Sequence, residues 1–384
     1  MNPHTKHHLA LGAIALACAA GACAQSSVQI YGQVGAGMTY QQASGPTTKQ
    51  SVTSLDDNLM WTSFIGFTGS EDLGGGMRAL FRLESGLTPD NGGDGKTVGS
   101  GATASYKMFN RQSWVGLQWA GGTVTLGRQF HALTDRVVRT LDVNRVGGLD
   151  VRVVPLALFG VNKYNGQDNR VDNSVKYRFN LPNVIEGGIS YGADEKVRSS
   201  AMPSVAPVVG ASYSADLAHV TSKYEIAGGY IHYDAPNGIR NGTFTPAKSL
   251  WSLGGNVRLG SFRPYLAYID SRFDNATTGV AQRNKIVDAG LSWTPAATPF
   301  TVTIAYYYDK GTALNGVSGR DGVKQTFVLS GFYALSKRTE LYTAYYQNYF
   351  EDGYLVEPTN QAALGRSATQ PRAQGISAGM RVSF

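Results

Sequence analysis

From Ile376 to the last residue the chain alternates: Ile376, Ala378, Met380, Val382 and Phe384 are apolar, while Ser377, Gly379, Arg381 and Ser383 between them are small or polar. The same two-residue period puts Val302, Ile304, Tyr306 and Tyr308 on one side of the stretch 301–309. It also sets Val175, Tyr177 and Phe179 opposite Ser174, Lys176 and Arg178. Successive side chains of a β-strand point to opposite faces, so each stretch reads as a strand with one apolar and one polar face. Such segments recur near 27–40, 58–70, 77–87, 107–119, 122–130, 171–180, 185–194, 207–216, 222–233, 248–259, 262–273, 283–294, 299–309, 323–334, 340–350 and 371–384, sixteen in all.

The connections separate a soluble sandwich from a barrel. Short ones, such as 71–76, 120–122, 182–184, 260–261, 295–298 and 335–339, alternate with long polar ones at 41–57, 88–106, 131–170, 195–206, 234–247, 274–282, 310–322 and 351–370. Tight turns at one rim and long loops at the other describe an up-and-down barrel, the asymmetry of outer-membrane barrels with periplasmic turns and external loops. Backbone amides in lipid have no water to bond, so the sheet must close on itself, first strand against last. Sixteen strands leave an aqueous lumen rather than a core filled by side chains. The expected fold is therefore all-β, a sixteen-stranded antiparallel transmembrane β-barrel.

Composition fits this picture. Glycine numbers 47 and tyrosine 21, as repeated turns and half-apolar strands require. No apolar run of the roughly 20 residues needed for a membrane helix is present. The formal charge of +7 is scattered, without the Lys/Arg blocks that track a phosphate backbone, so nucleic acid is not an expected partner. The first 24 residues read as a cleaved secretory signal peptide: a polar start with Lys6, an apolar run from Leu9 to Ala20, and Ala22-Cys23-Ala24 as the cleavage site, leaving residues 25–384 as the barrel. Both cysteines, Cys18 and Cys23, fall inside that peptide, which removes disulfides and thiol chemistry from the remainder. Acylation at Cys23 is the competing reading, for which Ala20 is a poor upstream residue.

No catalytic or metal constellation stands out. The glycines at 74–76 join two strands and lack the Lys-Ser/Thr of a phosphate loop. Beyond the leader the histidines are His131, His219 and His232, without metal-ligand spacing. The stretch 165–169, NGQDN, reads as a solvated turn rather than a calcium loop. No cofactor, no metal and no enzymatic activity are expected. An outer-membrane protease or phospholipase would need fewer strands and a histidine with Ser or Asp partners.

Nearly end to end, the chain resembles the general porins of β-proteobacteria. The matching stretches are VQIYGQVGAGM at 28–38, FIGFTGSEDLGGGMRALFRLE at 64–84, FNRQSWVGLQW at 109–119, GTVTLGRQ at 122–129, DNSVKY at 172–177, RPYLAYI at 263–269, LSKRTELYTAY at 335–345 and the ending GMRVSF. The resemblance implies a homotrimer in outer-membrane lipid, a third loop folded into the pore, and passive diffusion of ions and small hydrophilic solutes. It also implies that Phe384, with Val382 and Met380 on the same face, is an address read by the barrel-assembly machinery. A substrate-selective porin is the alternative within transport, and an exposed surface antigen could coexist with the pore.

The resemblance further points to Arg111 and Arg128 as pore-wall residues and to the segment from His131 to Gly160 as the constriction loop, with Asp135, Arg136, Arg139 and Asp142 as its charges. The family's acidic stretch is missing there: VVPLALFG at 153–160 is apolar. Phe64 and Gln33 stand where relatives carry basic residues. Alternation with Ala79, Phe81 and Leu83 directs Arg82 into the lumen, and Arg170 precedes the strand at 171–180. An arginine facing lipid at mid-membrane costs about 2–4 kcal/mol, which favours lumen placement at that depth. Positive charge outweighs negative near the expected narrowing, so a mild anion preference follows. Tyr31, Tyr40, Trp61, Trp119, Tyr342 and Tyr349 are candidates for interfacial girdles.

Overall fold

The computed structural model of the chain describes residues 27–56, 59–93, 108–143, 152–153, 170–182, 184–193, 210–234, 247–274 and 278–384. The leader expected at 1–24 and the NGQDN stretch lie outside them. One antiparallel sheet is built from β1 (Ser27–Ser44), β2 (Lys49–Asp56), β3 (Ser63–Gly74), β4 (Met77–Leu87), β5 (Gln112–Trp119), β6 (Gly122–Phe130), β7 (Arg170–Leu181), β8 (Ile185–Gly192) and β9 (Ser212–Val220). It continues through β10 (Tyr224–Tyr233), β11 (Lys248–Val257), β12 (Phe262–Phe273), β13 (Gln282–Trp293), β14 (Phe300–Thr312), β15 (Gly322–Ala334), β16 (Thr339–Asp352) and β17 (Arg372–Ser383).

These seventeen strands close a barrel of sixteen positions, because β2 and β3 share one. The first half of β1 pairs with β3 and its second half with β2, while β17 lies along its other edge. Closure runs to the last residue: the Phe384 amide donates to the Gly32 carbonyl and the Gly32 amide to the Phe384 carbonyl, both at 3.1 Å. The ring running from β1 through β3 to β17 is thereby sealed, as a sheet in lipid requires, while β2 pairs with β1 alone among the described strands.

β2 is a departure from the sequence expectation, which left 41–57 as loop. The sequence KQSVTSLD, largely polar and exposed, continues the barrel wall as a hairpin with the second half of β1. Elsewhere the observed strand ends fall within a few residues of the expected ones. The long connection at 351–370 holds a 3-10 turn, Gly353–Val356, and a short helix, Pro358–Leu364. Three glycines with positive φ, Gly74, Gly75 and Gly76, make the tight turn between β3 and β4.

Alternation sorts the two faces as anticipated. Ile30, Leu126, Ile189, Leu217, Leu266, Ile304 and Ile376 point outward and are exposed, an apolar surface suited to lipid. No described helix is long and apolar enough to cross a membrane. The girdle expectation is corrected for three residues. Tyr40, Trp119 and Tyr349 stand on the outer face, but Tyr342 is buried inside, Tyr31 donates to Glu84, and Trp61 packs against Phe332 and Tyr342.

At the seam, Gly37 on β1 lies opposite Gly379 on β17, and the Tyr342 ring crosses the pair from inside. A Cβ at Gly37 would lie 2.2 Å from the Tyr342 hydroxyl. Gly37→Val should therefore destabilise the folded barrel by about 1–3 kcal/mol through overpacking. The check is the temperature at which the heat-modifiable band on a detergent gel disappears, which should fall.

Candidate functional site

Most of the buried apolar cluster lies inside the barrel, between the inner wall and the described part of the connection that follows β6. After β6 the chain turns at His131 into helix α1, Ala132–Arg136, followed by a π-helical turn, Val137–Leu141. Leu133, Val137, Leu141 and Val143 pack with Ile231, Leu250, Ile269 and Tyr307 on the inner wall. The unpaired amides at the start of α1 find wall hydroxyls: Ala132 donates to Ser190 Oγ and Leu133 to Ser214 Oγ, each at 3.0 Å.

Farther along, Asn256 donates to the Thr140 carbonyl at 3.2 Å, Tyr307 to Asp142 at 2.7 Å, and Asn348 to the Arg152 carbonyl at 2.9 Å. The described part of this connection is thus seated on inner-face residues from β8 to β16. Its strongest tie is Arg136, which is 1% exposed, pairs with Asp216 at 2.9 Å and also with Glu186. Arg178 shares Asp216 at 3.1 Å, and Lys176 holds Asp135 at 2.7 Å.

His131 sits under this loop, its Nδ1 bonded to Ser190 Oγ at 2.7 Å and its ring against Tyr233. Burial, reinforced by the Lys176 charge, pushes its pKa down from 6.5 to about 3. The seated loop therefore holds His131 neutral, while a released loop would bind a proton below pH 6.5. Seating should weaken as pH falls from 6.5 towards 3 and be unaffected above 6.5. Open-channel current noise should rise between pH 7 and pH 4 in the native protein, and His131→Gln should flatten that part of the rise.

The sequence-derived site residues divide into two groups. Arg82 and Arg111 reach the inner face: both approach Glu84, at 4.0 and 3.6 Å, and Arg111 also donates to Thr62 at 2.7 Å. Glu84 accepts as well from Tyr31 and Gln112. Buried residues make up the other group. Arg128 is 9% exposed and held by Asp172 and the Asn110 carbonyl, and Arg170 is 7% exposed and stacked on Phe130 at 4.4 Å. Arg136 and Asp142 are buried against the wall, which corrects the expectation that they offer charge to water. Asp135 is intermediate, and the side chain of Arg139 lies outside the description.

Several residues of the lumen were not singled out from sequence. Between β2 and β3 the chain leaves the wall: Leu59 and Met60 are fully buried, Met60 touches Ser330, and Trp61 lies 5.3 Å from Phe332. This excursion borders a cavity of about 710 Å³ at the short-turn end of the lumen. Arg111, Arg258, Arg263 and Arg381 line it, with Glu340. Arg258 and Arg263 share Glu225, each at 2.8 Å, and Arg381 meets Glu340 at 3.3 Å. With Arg82, five guanidinium groups thus face three carboxylates among the described residues of these clusters. The signal was present for Arg381 and Arg263, which occupy polar positions of alternating strands. Nothing in sequence announced that two arginines would share each of Glu84 and Glu225.

Among the described residues no group of three His, Cys, Asp or Glu side chains could hold a metal. At the C-terminus, Met380, Val382 and Phe384 stand exposed on the outer face of β17.

Comparison with known proteins agrees with a lumen of this kind. An outer membrane porin protein of Bordetella pertussis is 26% identical over 92% of this chain and 97% of its own length. Outer membrane porin protein 32 of Delftia acidovorans is 28% identical over 62% of this chain and 59% of its own. Among solved structures, an anion-selective porin from Comamonas acidovorans superposes with a TM-score of 0.73 at 21% identity, covering 94% of this chain and all of that one. A trimeric form of OmpT from Vibrio cholerae gives 0.61 at 14%, covering 94% and 99%. The family model described as Gram-negative porin matches residues 10–353. With its closed wall, greasy outside and lined with charge within, the chain belongs to the Gram-negative porins, channel-forming barrels of the outer membrane.

Proposed function

We propose that the pore is a passive channel whose narrow zone favours anions mildly, carried by Arg82, Arg111, Arg258, Arg263 and Arg381 rather than by the charges of the third long loop. The observation behind this reading is the sharing of Glu84 by Arg82 and Arg111 and of Glu225 by Arg258 and Arg263. One carboxylate between two guanidiniums leaves each cluster positive among the described residues, and a low-dielectric wall focuses that field into the lumen. Arg136, Asp135 and Asp142 act instead by seating the loop, which sets the free cross-section. The solved anion-selective porin of similar fold points the same way.

The protein assembles as a homotrimer, as the trimeric structure of a similar barrel suggests. Export by a cleaved leader and recognition of the exposed Phe384, Val382 and Met380 face by the assembly machinery complete the reading; it assigns transport and no catalysis. Swelling of proteoliposomes in isotonic neutral sugars tests the general-diffusion part. Rates should fall smoothly with sugar size and show no saturation; a rate that saturates for one sugar would instead mark a selective porin.

A further inference from the structure

The cavity at the short-turn end has a lining that ion permeation does not explain. Trp61, Phe64 and Phe332 border it and are only half-buried. In a pore filled by water, exposed ring faces forfeit hydrophobic stabilisation and do nothing for chloride. Two of the three rings also neighbour a cation: Arg381 lies 4.0 Å above the Trp61 ring and Arg111 lies 4.6 Å above Phe64. Trp61 is not a wall residue but part of the excursion at 59–62, so the chain leaves the sheet to bring an indole into the lumen.

Guanidinium groups pair with carboxylates, and flat ring surfaces take flat apolar bodies. Both chemistries within one cavity of about 710 Å³ fit a small organic molecule better than a hydrated ion.

We propose that this cavity is a binding subsite for aromatic carboxylates of about benzoate size, with the acid on Arg111 and Arg381 and the ring against Trp61 and Phe332. The subsite rests on the reading of the lumen as an open, anion-preferring path. A solute that dwells there narrows the path while bound, so it shows itself as a saturable block of chloride current.

The test uses the full-length protein in planar bilayers in KCl, titrated with sodium benzoate, sodium acetate or benzyl alcohol. Benzoate should half-block at a concentration about tenfold below acetate, the size of effect expected from ring contacts added to one ion pair. Benzyl alcohol, with the ring but no charge, should block no better than acetate. Trp61→Ala, or Phe332→Leu should the first variant fail to insert, should erase the difference between benzoate and acetate. Equal block by benzoate and acetate in the native protein would overturn the subsite, as would a benzoate preference that survives both substitutions. Block by benzyl alcohol equal to that by benzoate would remove the arginines from it. A cation-selective reversal potential in KCl alone would strike the underlying reading instead, and is measured first on the same channels.

Discussion

Arg136→Ala should widen and unsettle the pore. Arg136 is buried between Asp216 and Glu186, two carboxylates on different strands of the inner wall. Removing one partner of a buried ion pair costs about 3–5 kcal/mol, because the remaining charge loses its compensation in a low-dielectric place. Arg178 keeps hold of Asp216, so the lower end of that range applies. The loop from His131 to Val143 has other ties, yet this one anchors the helix from which the rest hangs. Single-channel conductance should increase and open-state noise should grow. Arg136→Met combined with Asp216→Asn and Glu186→Gln should recover much of the quiet state, since a neutral, space-filling set leaves no buried charge unmatched. A conductance unchanged in Arg136→Ala would mean that the loop is held without it.

Reversing charge at the shared carboxylates should have the second large effect. In Arg111→Glu with Arg263→Glu, each cluster gains a second carboxylate in place of one of two guanidiniums. A unit charge about 5 Å from a permeating ion in water is worth about 0.8 kcal/mol, roughly fourfold in local concentration, and more where the wall excludes water. Salt screening over about 10 Å at 0.1 M trims this but does not cancel it at contact. The anion preference of the native pore should turn into cation preference. Arg111→Gln, which removes one charge and adds none, should fall between. A reversal potential that ignores all three substitutions would place the selecting field elsewhere in the lumen.

How far the sequence foretold this architecture differs by region. Strands within the apolar band were legible because lipid on one side and water on the other impose strict alternation. Val302 to Tyr308 and Ile376 to Phe384 repeat it without a break, and the observed outer face follows it. Where water bathes both faces the rule lapses. That is why Lys49–Asp56 read as loop although it extends the wall. Inward tyrosines such as Tyr31 and Tyr342 misled the girdle reading, since a ring can meet Glu84 inside as readily as a headgroup outside.

The site was legible only in part. Alternation placed Arg82, and the resemblance placed Arg111. Arg136 looked like a pore charge because its partners, Asp216 and Glu186, lie 80 and 50 residues away along the chain. Trp61 fell inside the strand expected at 58–70 and read as a girdle residue, but the strand starts only at Ser63, and its contacts with Phe332 and Arg381 reveal where the ring points.

The reversal potential of single channels across a tenfold KCl gradient bears most directly on the whole account. A water-filled barrel with these paired arginines predicts stable current steps and a potential displaced to the chloride side. Silent bilayers, or a displacement to the potassium side, would contradict it.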